Sequence, residues 1–460
     1  MTPSTTVNPL SRVDEYKEVQ WYYWDAASTV AGIVYTPFSL LAASYHWLRG
    51  YRSKPLPPCA RGHGWLGSLP ELAERKYRLL PFLRSYAHTY GDHGICKLQI
   101  GPKVFYLISD PKLASAILKK SSAFTRGESL RIWRKFSPGG LDEGKETLKY
   151  RKQALQAIGA GHFAHYFPSI RLVAEEWEKR IAGLAELGVP VDIMMESERA
   201  ALAAIGESLF KIDPHDPDES NPFSLDAEND QKCVEFLHAF HTLFGLITTR
   251  ISSSLANIPY VGDQLYNWKY QKESVQMEQA KQTLKMVLRP IFEELLQDPE
   301  RIPPDSHFAM LLKNFGIDIQ NPDYDLILDQ SLGFLQASFE TASKSLGWTL
   351  YTLTQHPEIQ TKLREALRQQ FGHSPPESFE DLKSVPYLFQ VIEESLRLFP
   401  PFPFLLRDID KPESFKEYEV NKGETFIVAP FFVHRNPEYW DDPETFNPDR
   451  FKEEMLTDAW

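Results

Sequence analysis

Residues 321–353, NPDYDLILDQSLGFLQASFETASKSLGWTLYTL, constrain this chain more than any other stretch. The run has helix length and apolar residues at helical spacing, with Asn321-Pro322 as its start. Its middle departs from an ordinary core helix. Ala337, Ser338, Thr341, Ala342 and Ser345 are small, and Glu340 places a carboxylate among apolar neighbours. Small side chains let a large group lie against a helix. An acid beside a threonine can hydrogen-bond, or can pass a proton. The competing reading is a kinked core helix, in which the Thr341 hydroxyl bonds back to a carbonyl one turn earlier. On this stretch alone both readings stay open.

The chain is long enough, at 460 residues and 42% hydrophobic, for one large domain or two ordinary ones. A net charge of -12 argues against nucleic acid as a partner. Three cysteines, Cys59, Cys96 and Cys233, form no close pair and no metal-ligand spacing. Neither a disulfide framework nor a metal site built on cysteine is expected.

Residues 26–48 carry no Asp, Glu, Lys or Arg. As a helix they would reach about 34 Å, enough for a bilayer core of roughly 30 Å. Arg49, Arg52 and Lys54 follow at once, while Arg12 and Lys17 before the segment are outweighed by Asp14, Glu15, Glu18 and Asp25. This asymmetry predicts a membrane anchor with the body in the cytoplasm. A signal peptide is the weaker reading, since the segment starts late and lacks a basic leader. A buried soluble helix also stays open, given several Ser and Thr and Pro37. Lys54-Pro-Leu-Pro-Pro58 then reads as a stiff extended linker, followed by Gly62, Gly64 and Gly67. The organisation predicted is a tail and anchor over 1–53, a Pro/Gly-rich hinge over 54–67 and a body over 68–460.

Within the body, 71–90 reads as an amphipathic helix. Residues 94–100 and 103–109 read as strands about a Gly101-Pro102 turn, and 111–120 as a short helix. Helices are predicted at about 142–158, 166–184, 190–210, 228–252, 265–297, 321–353, 355–371 and 383–398. Pro-rich coil with short strands follows from 400. The fold class is mainly α with minor β, too large for a simple bundle.

Near the end of the last predicted helix, Glu394 and Arg397 stand at i and i+3 and so face one another. Their flanks, Val391, Ile392, Leu396 and Leu398, are apolar, and the helix stops at Phe399-Pro400-Pro401. An ion pair on such a helix tends to be buried, and a buried pair needs further partners. Arg450, in Asn447-Pro-Asp-Arg-Phe451, is the candidate: a guanidinium there would tie coil to helix.

With these residues in view the chain resembles a cytochrome P450 over about residues 60–451. Glu394 and Arg397 match the E-x-x-R signature, and Pro448, Asp449, Arg450 and Phe451 match P-x-R-F. Ala337, Ser338, Phe339, Glu340, Thr341 and Ala342 match [AG]-G-x-[DE]-T-[TS] loosely. The segments VPYLFQVIEESLRLFPP and HRNPEYWDDPETF are also family-like. The resemblance implies a P450-like fold and a haem cofactor, with electrons from NADPH through cytochrome P450 reductase. It implies that Glu340 and Thr341 lie over the distal face of the haem and deliver protons to iron-bound dioxygen, with Ala337 and Ser338 against its plane. Glu394, Arg397 and Arg450 would form the structural triad of the proximal side. Arg151 and Arg407 would meet the haem propionates; a solvated surface charge is the alternative for each. The Trp that the family carries four residues before the first of these is Thr147 here. Phe402, Phe404, Leu405 and Leu406 would line an apolar pocket, with further substrate contacts in 121–140 and 234–262.

One element of the family pattern, F-x-x-G-x-x-x-C-x-G with the thiolate that ligates the iron, is not met before Trp460. Cys59, Cys96 and Cys233 fall in the linker, an early strand and an access region, so each reads as a small apolar residue. The expectation for the chain as written is a P450-like fold lacking its haem-thiolate segment, in which oxygen activation fails. Two functional readings follow. One is a monooxygenase of the endoplasmic reticulum membrane, held by a single N-terminal anchor and oxidising a small lipophilic substrate in lipid or secondary metabolism. The other is a haem-less binding or scaffold protein, or a truncated gene product.

Overall fold

The computed structural model describes residues 68, 71, 79–90, 94–100, 103–120, 124–125, 163–188, 190–210, 212, 214, 221–226, 230–252, 261–302, 306–314, 316–415 and 418–452. The predicted anchor and hinge, the helix at 142–158 with Thr147 and Arg151, the Gly101-Pro102 turn and Cys59 lie outside the described residues. No helix among the described residues is long and apolar enough to cross a membrane.

The elements in order are α1 (Leu79–Tyr90), β1 (Ile95–Ile100), β2 (Lys103–Ile108), α2 (Pro111–Lys119), β3 (Phe124–Thr125), α3 (Phe163–Glu186) and α4 (Ile193–Ile205). There follow α5 (Asp230–Ser252), α6 (Gly262–Lys269), α7 (Gln271–Gln297), α8 (His307–Asn314), α9 (Tyr324–Leu335) and α10 (Thr341–Gln355). The last part holds α11 (Pro357–Phe371), α12 (Phe379–Lys383), α13 (Pro386–Leu398), β4 (Leu405–Ile409), β5 (Glu413–Phe415), β6 (Tyr418–Val420), β7 (Thr425–Val428) and α14 (Pro430–Val433). Helices dominate, as the sequence predicts. The long span predicted at 265–297 divides at Tyr270 into α6 and α7. Two helices, α8 and α12, are too short for their period to show in the sequence.

The chain folds as two units: Met1–Trp133 with His241–Gln279 and Leu406–Ala429, and Arg134–Phe240 with Ala280–Leu405 and Pro430–Trp460. The first holds a five-stranded sheet of order β1-β2-β7-β4-β3. Strands β1 and β2 pair antiparallel, from Ile95 opposite Ile108 to Ile100 opposite Lys103, and β2 runs parallel to β7. Alternating apolar residues bury one face. Phe426 packs on Tyr106 at 5.6 Å and on Phe124 at 5.0 Å between ring centres. Asp110 caps α2 by accepting from the Leu113 amide at 2.7 Å, and Pro111 at the first turn removes an amide that would lack a partner.

The second unit is helical. Seven buried phenylalanines form a continuous core: Phe308, Phe292, Phe210, Phe223, Phe236, Phe240 and Phe339, with successive ring centres 4.7–6.3 Å apart. Phe339 brings the central helix into that core, since it is fully buried. Helix α4 packs along α10. Gly347 permits the close approach: a Cβ there would collide with Met194 Sδ and stand 3.3 Å from Ser197 Oγ.

Candidate functional site

The central helix starts at Tyr324, capped by Asp323, whose carboxylate accepts from the Leu326 amide at 3.0 Å. The cap therefore lies two residues past the predicted Asn321. Between α9 and α10 the backbone runs through one π-helical segment, Gln336–Glu340. Such wide turns occur where a helix is interrupted for a site. A run of hydroxyls bonds back to backbone carbonyls through and beyond this segment. Ser338 Oγ donates to the Phe334 carbonyl at 2.8 Å and Thr341 Oγ1 to that of Ala337 at 2.9 Å. Ser343, Ser345, Thr349 and Thr352 repeat the pattern along α10, at 3.0, 2.9, 2.7 and 2.7 Å. The back-bonded threonine and the open strip are thus features of one structure. Ala337 and Ala342 are exposed and Ser338, Thr341 and Ser345 half-buried, whereas Phe339, Ser343 and Gly347 on the opposite side are buried. Glu340 is half-buried, with Gln336 Nε2 donating to its Oε2 at 3.5 Å.

Below this, α13 carries the ion pair. Glu394 is 0% and Arg397 2% exposed. The guanidinium grips the carboxylate with both arms, Nε to Oε2 at 2.6 Å and Nη2 to Oε1 at 2.9 Å. Its remaining donors reach three carbonyls: His434 at 2.8 Å, Pro443 at 2.7 Å and Thr445 at 3.2 Å. Its face lies over the Trp440 ring, 5.0 Å from the centroid. The carboxylate is completed by the Asn447 amide at 2.7 Å. Arg450 is the looser partner: its Nε stands 3.4 Å from Glu394, while Nη2 donates to the Asp442 carbonyl at 2.8 Å. Asp442 holds a left-handed φ of 44°, which turns that chain back toward the triad. Spacing in the sequence pointed to the three charged residues. It could not point to these carbonyls, which any residue type supplies.

Two titrating groups frame this cluster. His434 is pushed down to about 4, first by burial and then by the Arg435 and Arg397 guanidinium groups, and its Nδ1 finds no hydrogen-bond partner among the described residues. A hydrogen bond from Lys362 at 2.8 Å holds the Asp449 carboxyl below the usual carboxylate range. Helices α10 and α13 meet through Thr349 Oγ1 and Ser395 Oγ at 2.8 Å and through Trp348 stacked on Phe399 at 4.2 Å. The Ala337–Ser345 strip and the triad are thus joined within one unit.

The other predicted residues are placed less tightly. Phe404 packs on Phe432 with ring centres 6.1 Å apart, Phe402 is 50% exposed, and Leu405 and Leu406 are half-buried. Arg407 is half-buried and its Nη1 donates to the Leu406 carbonyl at 2.8 Å. It belongs to the sheet-bearing unit. The two described cysteines, Cys96 on β1 and Cys233 on α5, are buried at 3% and 1% exposure. The open strip fits the face of a flat macrocycle, for which small side chains and a hydroxyl are the needed lining. A sulfur ligand for its iron is not among the described residues that form this strip.

A family profile for Cytochrome P450 matches residues 57–458, and the chain belongs to that family. Membership brings the haem cofactor and electrons from NADPH through a reductase. The relatives are distant. Protein LUTEIN DEFICIENT 5, chloroplastic, of Arabidopsis thaliana is 27% identical over 431 residues, 90% of this chain and 67% of its own length. Cytochrome P450 3A16 of Mus musculus is 26% identical over 385 residues, 80% of this chain and 71% of its own. Cytochrome P450 4V2 of Mus musculus is 40% identical over 119 residues, 26% of this chain and 23% of its own.

Proposed function

We propose that this chain serves oxidation of a small lipophilic substrate at a haem lying along the Ala337–Ser345 strip. The observation that carries the reading is the π segment: it leaves Ala337 and Ala342 exposed in the middle of a helix whose other side is buried. Haem supplies oxygen activation when bound. In this reading the chain's own residues do the rest. Ala337 and Ser338 admit the ring, and Thr341 Oγ1 holds a proton donor toward it. Glu340, one residue before, carries the carboxylate that exchanges protons with solvent. Glu394, Arg397 and Arg450 keep the coil of 434–451 against α13. Phe402, Phe404 and Leu405 supply apolar contact for the substrate, in lipid or secondary metabolism.

The test is turnover of a panel of lipophilic compounds, with haem, NADPH and reductase, by the protein carrying a family-type cysteine loop to supply the thiolate. Thr341→Ala should lower product formed per NADPH consumed about tenfold or more, in keeping with the 10²–10⁴-fold worth of a placed proton donor. Equal coupling in the two proteins would refute the role given to Thr341. The same reading places the protein on the endoplasmic reticulum membrane through residues 26–48, with the body in the cytoplasm.

A further inference from the structure

The segment Glu196-Ser-Glu-Arg199 places four polar residues, each no more than 6% exposed, inside α4. Positions 196 and 198 lie about 200° apart around a helix, so their carboxylates point to opposite neighbours. Glu196 faces α3, where Arg180 holds it with both arms, Nε to Oε2 at 2.8 Å and Nη2 to Oε1 at 3.1 Å. Arg199 adds a second cation to Glu196 at 3.4 Å. Glu198 faces α10, where it takes the Lys344 ammonium. Lys344 is three residues past Thr341, so the two side chains are neighbours on the helix surface.

Where Gly347 lets the helices approach, the α4 side chains it meets are Met194, which is easily reshaped, and Ser197, which is small. Smooth surfaces of this kind let one helix turn or slide on the other. A charged hydrogen bond has direction, and with Glu198 buried and Lys344 only partly exposed the pair favours one arrangement of the two helices. Turning α10 by about 20° would carry a group 5–6 Å from the axis by about 2 Å. A misplacement near 1 Å can lower a rate by about a hundredfold.

We propose that Glu198 and Lys344 are positioning residues for Thr341. Arg180–Glu196 ties α4 to α3, and Glu198–Lys344 ties α10 to α4 within one turn of Thr341, adding to Thr349–Ser395 and buried Phe339 a restraint that holds the Thr341 hydroxyl in one orientation. The proposal rests on the reading of Thr341 given above. None of these five charged residues belongs to the strip itself.

The test is amide hydrogen exchange of the full chain, without and with hemin, in the parent, Lys344→Met and the double variant Glu198→Gln/Lys344→Met. The neutral pair keeps the side-chain volumes and guards against simple misfolding. Both variants should exchange about tenfold faster or more over 336–345, while amides of α13 and of the six core phenylalanines outside that segment keep their protection. Lys344→Arg should restore slow exchange. Unchanged exchange over 336–345, or a rise spread evenly through the unit, would overturn the proposal. Peroxide released per NADPH, with haem and reductase, by the protein carrying a family-type cysteine loop supplies the second readout, with Thr341→Ala in the same protein as reference. It should rise in Lys344→Met toward the level of Thr341→Ala. If Thr341→Ala itself releases no extra peroxide, the reading of Thr341 fails, while the exchange result still decides whether the pair orients the helix.

Discussion

Replacing Arg397 with alanine should cost the second unit more than any other single substitution. The guanidinium makes two bonds to Glu394 and gives its remaining donors to the carbonyls of His434, Pro443 and Thr445. Removing it leaves a carboxylate of 0% exposure with the Asn447 amide at 2.7 Å and Arg450 at 3.4 Å. Breaking a buried pair from one side costs about 3–5 kcal/mol. The carbonyls that lose a donor add about 1–3 kcal/mol each where water cannot reach them, and the terms do not sum in full. A loss of about 5 kcal/mol is a large part of the 5–15 kcal/mol by which domains are stable. At about 2–4 °C per kcal/mol the thermal midpoint should fall by about 10 °C or more. Thermal unfolding and limited proteolysis of 430–452 measure it. Arg397→Lys keeps a charge but loses the fork, so it should fall between parent and alanine. Lys179→Ala, which removes an exposed pair with Glu176, is the control and should leave the midpoint unchanged. If Arg397→Ala melts with the parent, the carbonyls and Glu394 are served by water, and the account of this cluster is wrong.

Three further outcomes can be measured. His434 is held neutral, its folded value of about 4 lying below the ordinary 6.5, so the unfolded chain binds the extra proton between those values. Its contribution is complete above pH 6.5 and is lost as pH falls toward 4, by about 3 kcal/mol in all. Urea unfolding of the parent across that window should show the slope and His434→Phe should lack it; an equal slope in both assigns it to other groups. Gly347→Ala should destabilise by about 1–3 kcal/mol, since the new methyl meets Met194, and Met194→Ala in the same chain should recover part of the loss. Deleting residues 1–53 should release the protein from sedimenting membranes, and retention would count against a single N-terminal anchor.

How much was legible beforehand differs from element to element. The strands at 95–100 and 103–108 and the helices at 163–186, 357–371 and 386–398 lie within a few residues of their predicted spans. Their apolar spacing and their Asp and Pro boundary residues act locally. Thr341 illustrates the opposite case. Its hydroxyl and small neighbours were plain in the sequence, and kinked helix and open groove looked like rival readings. The kink is observed, with Ser338 and Thr341 bonded back to carbonyls of the preceding turn in and beside the π segment, and Ala337 and Ala342 stay exposed there.

Side-chain chemistry at short spacing was therefore decided by the sequence itself. Glu394 and Arg397 had to face one another three residues apart on a helix, and their apolar flanks had to take them inside. Tertiary structure alone decided what received the other donors of Arg397. The backbone carbonyls of residues 434, 443 and 445 are the same group in every residue, and only the path of the coil, turned at Asp442, brings them to the guanidinium. Glu198 and Lys344 show the same division. They stand 146 residues apart with no shared motif, and they meet because Gly347 lets α4 come close enough to α10 for the pair to close.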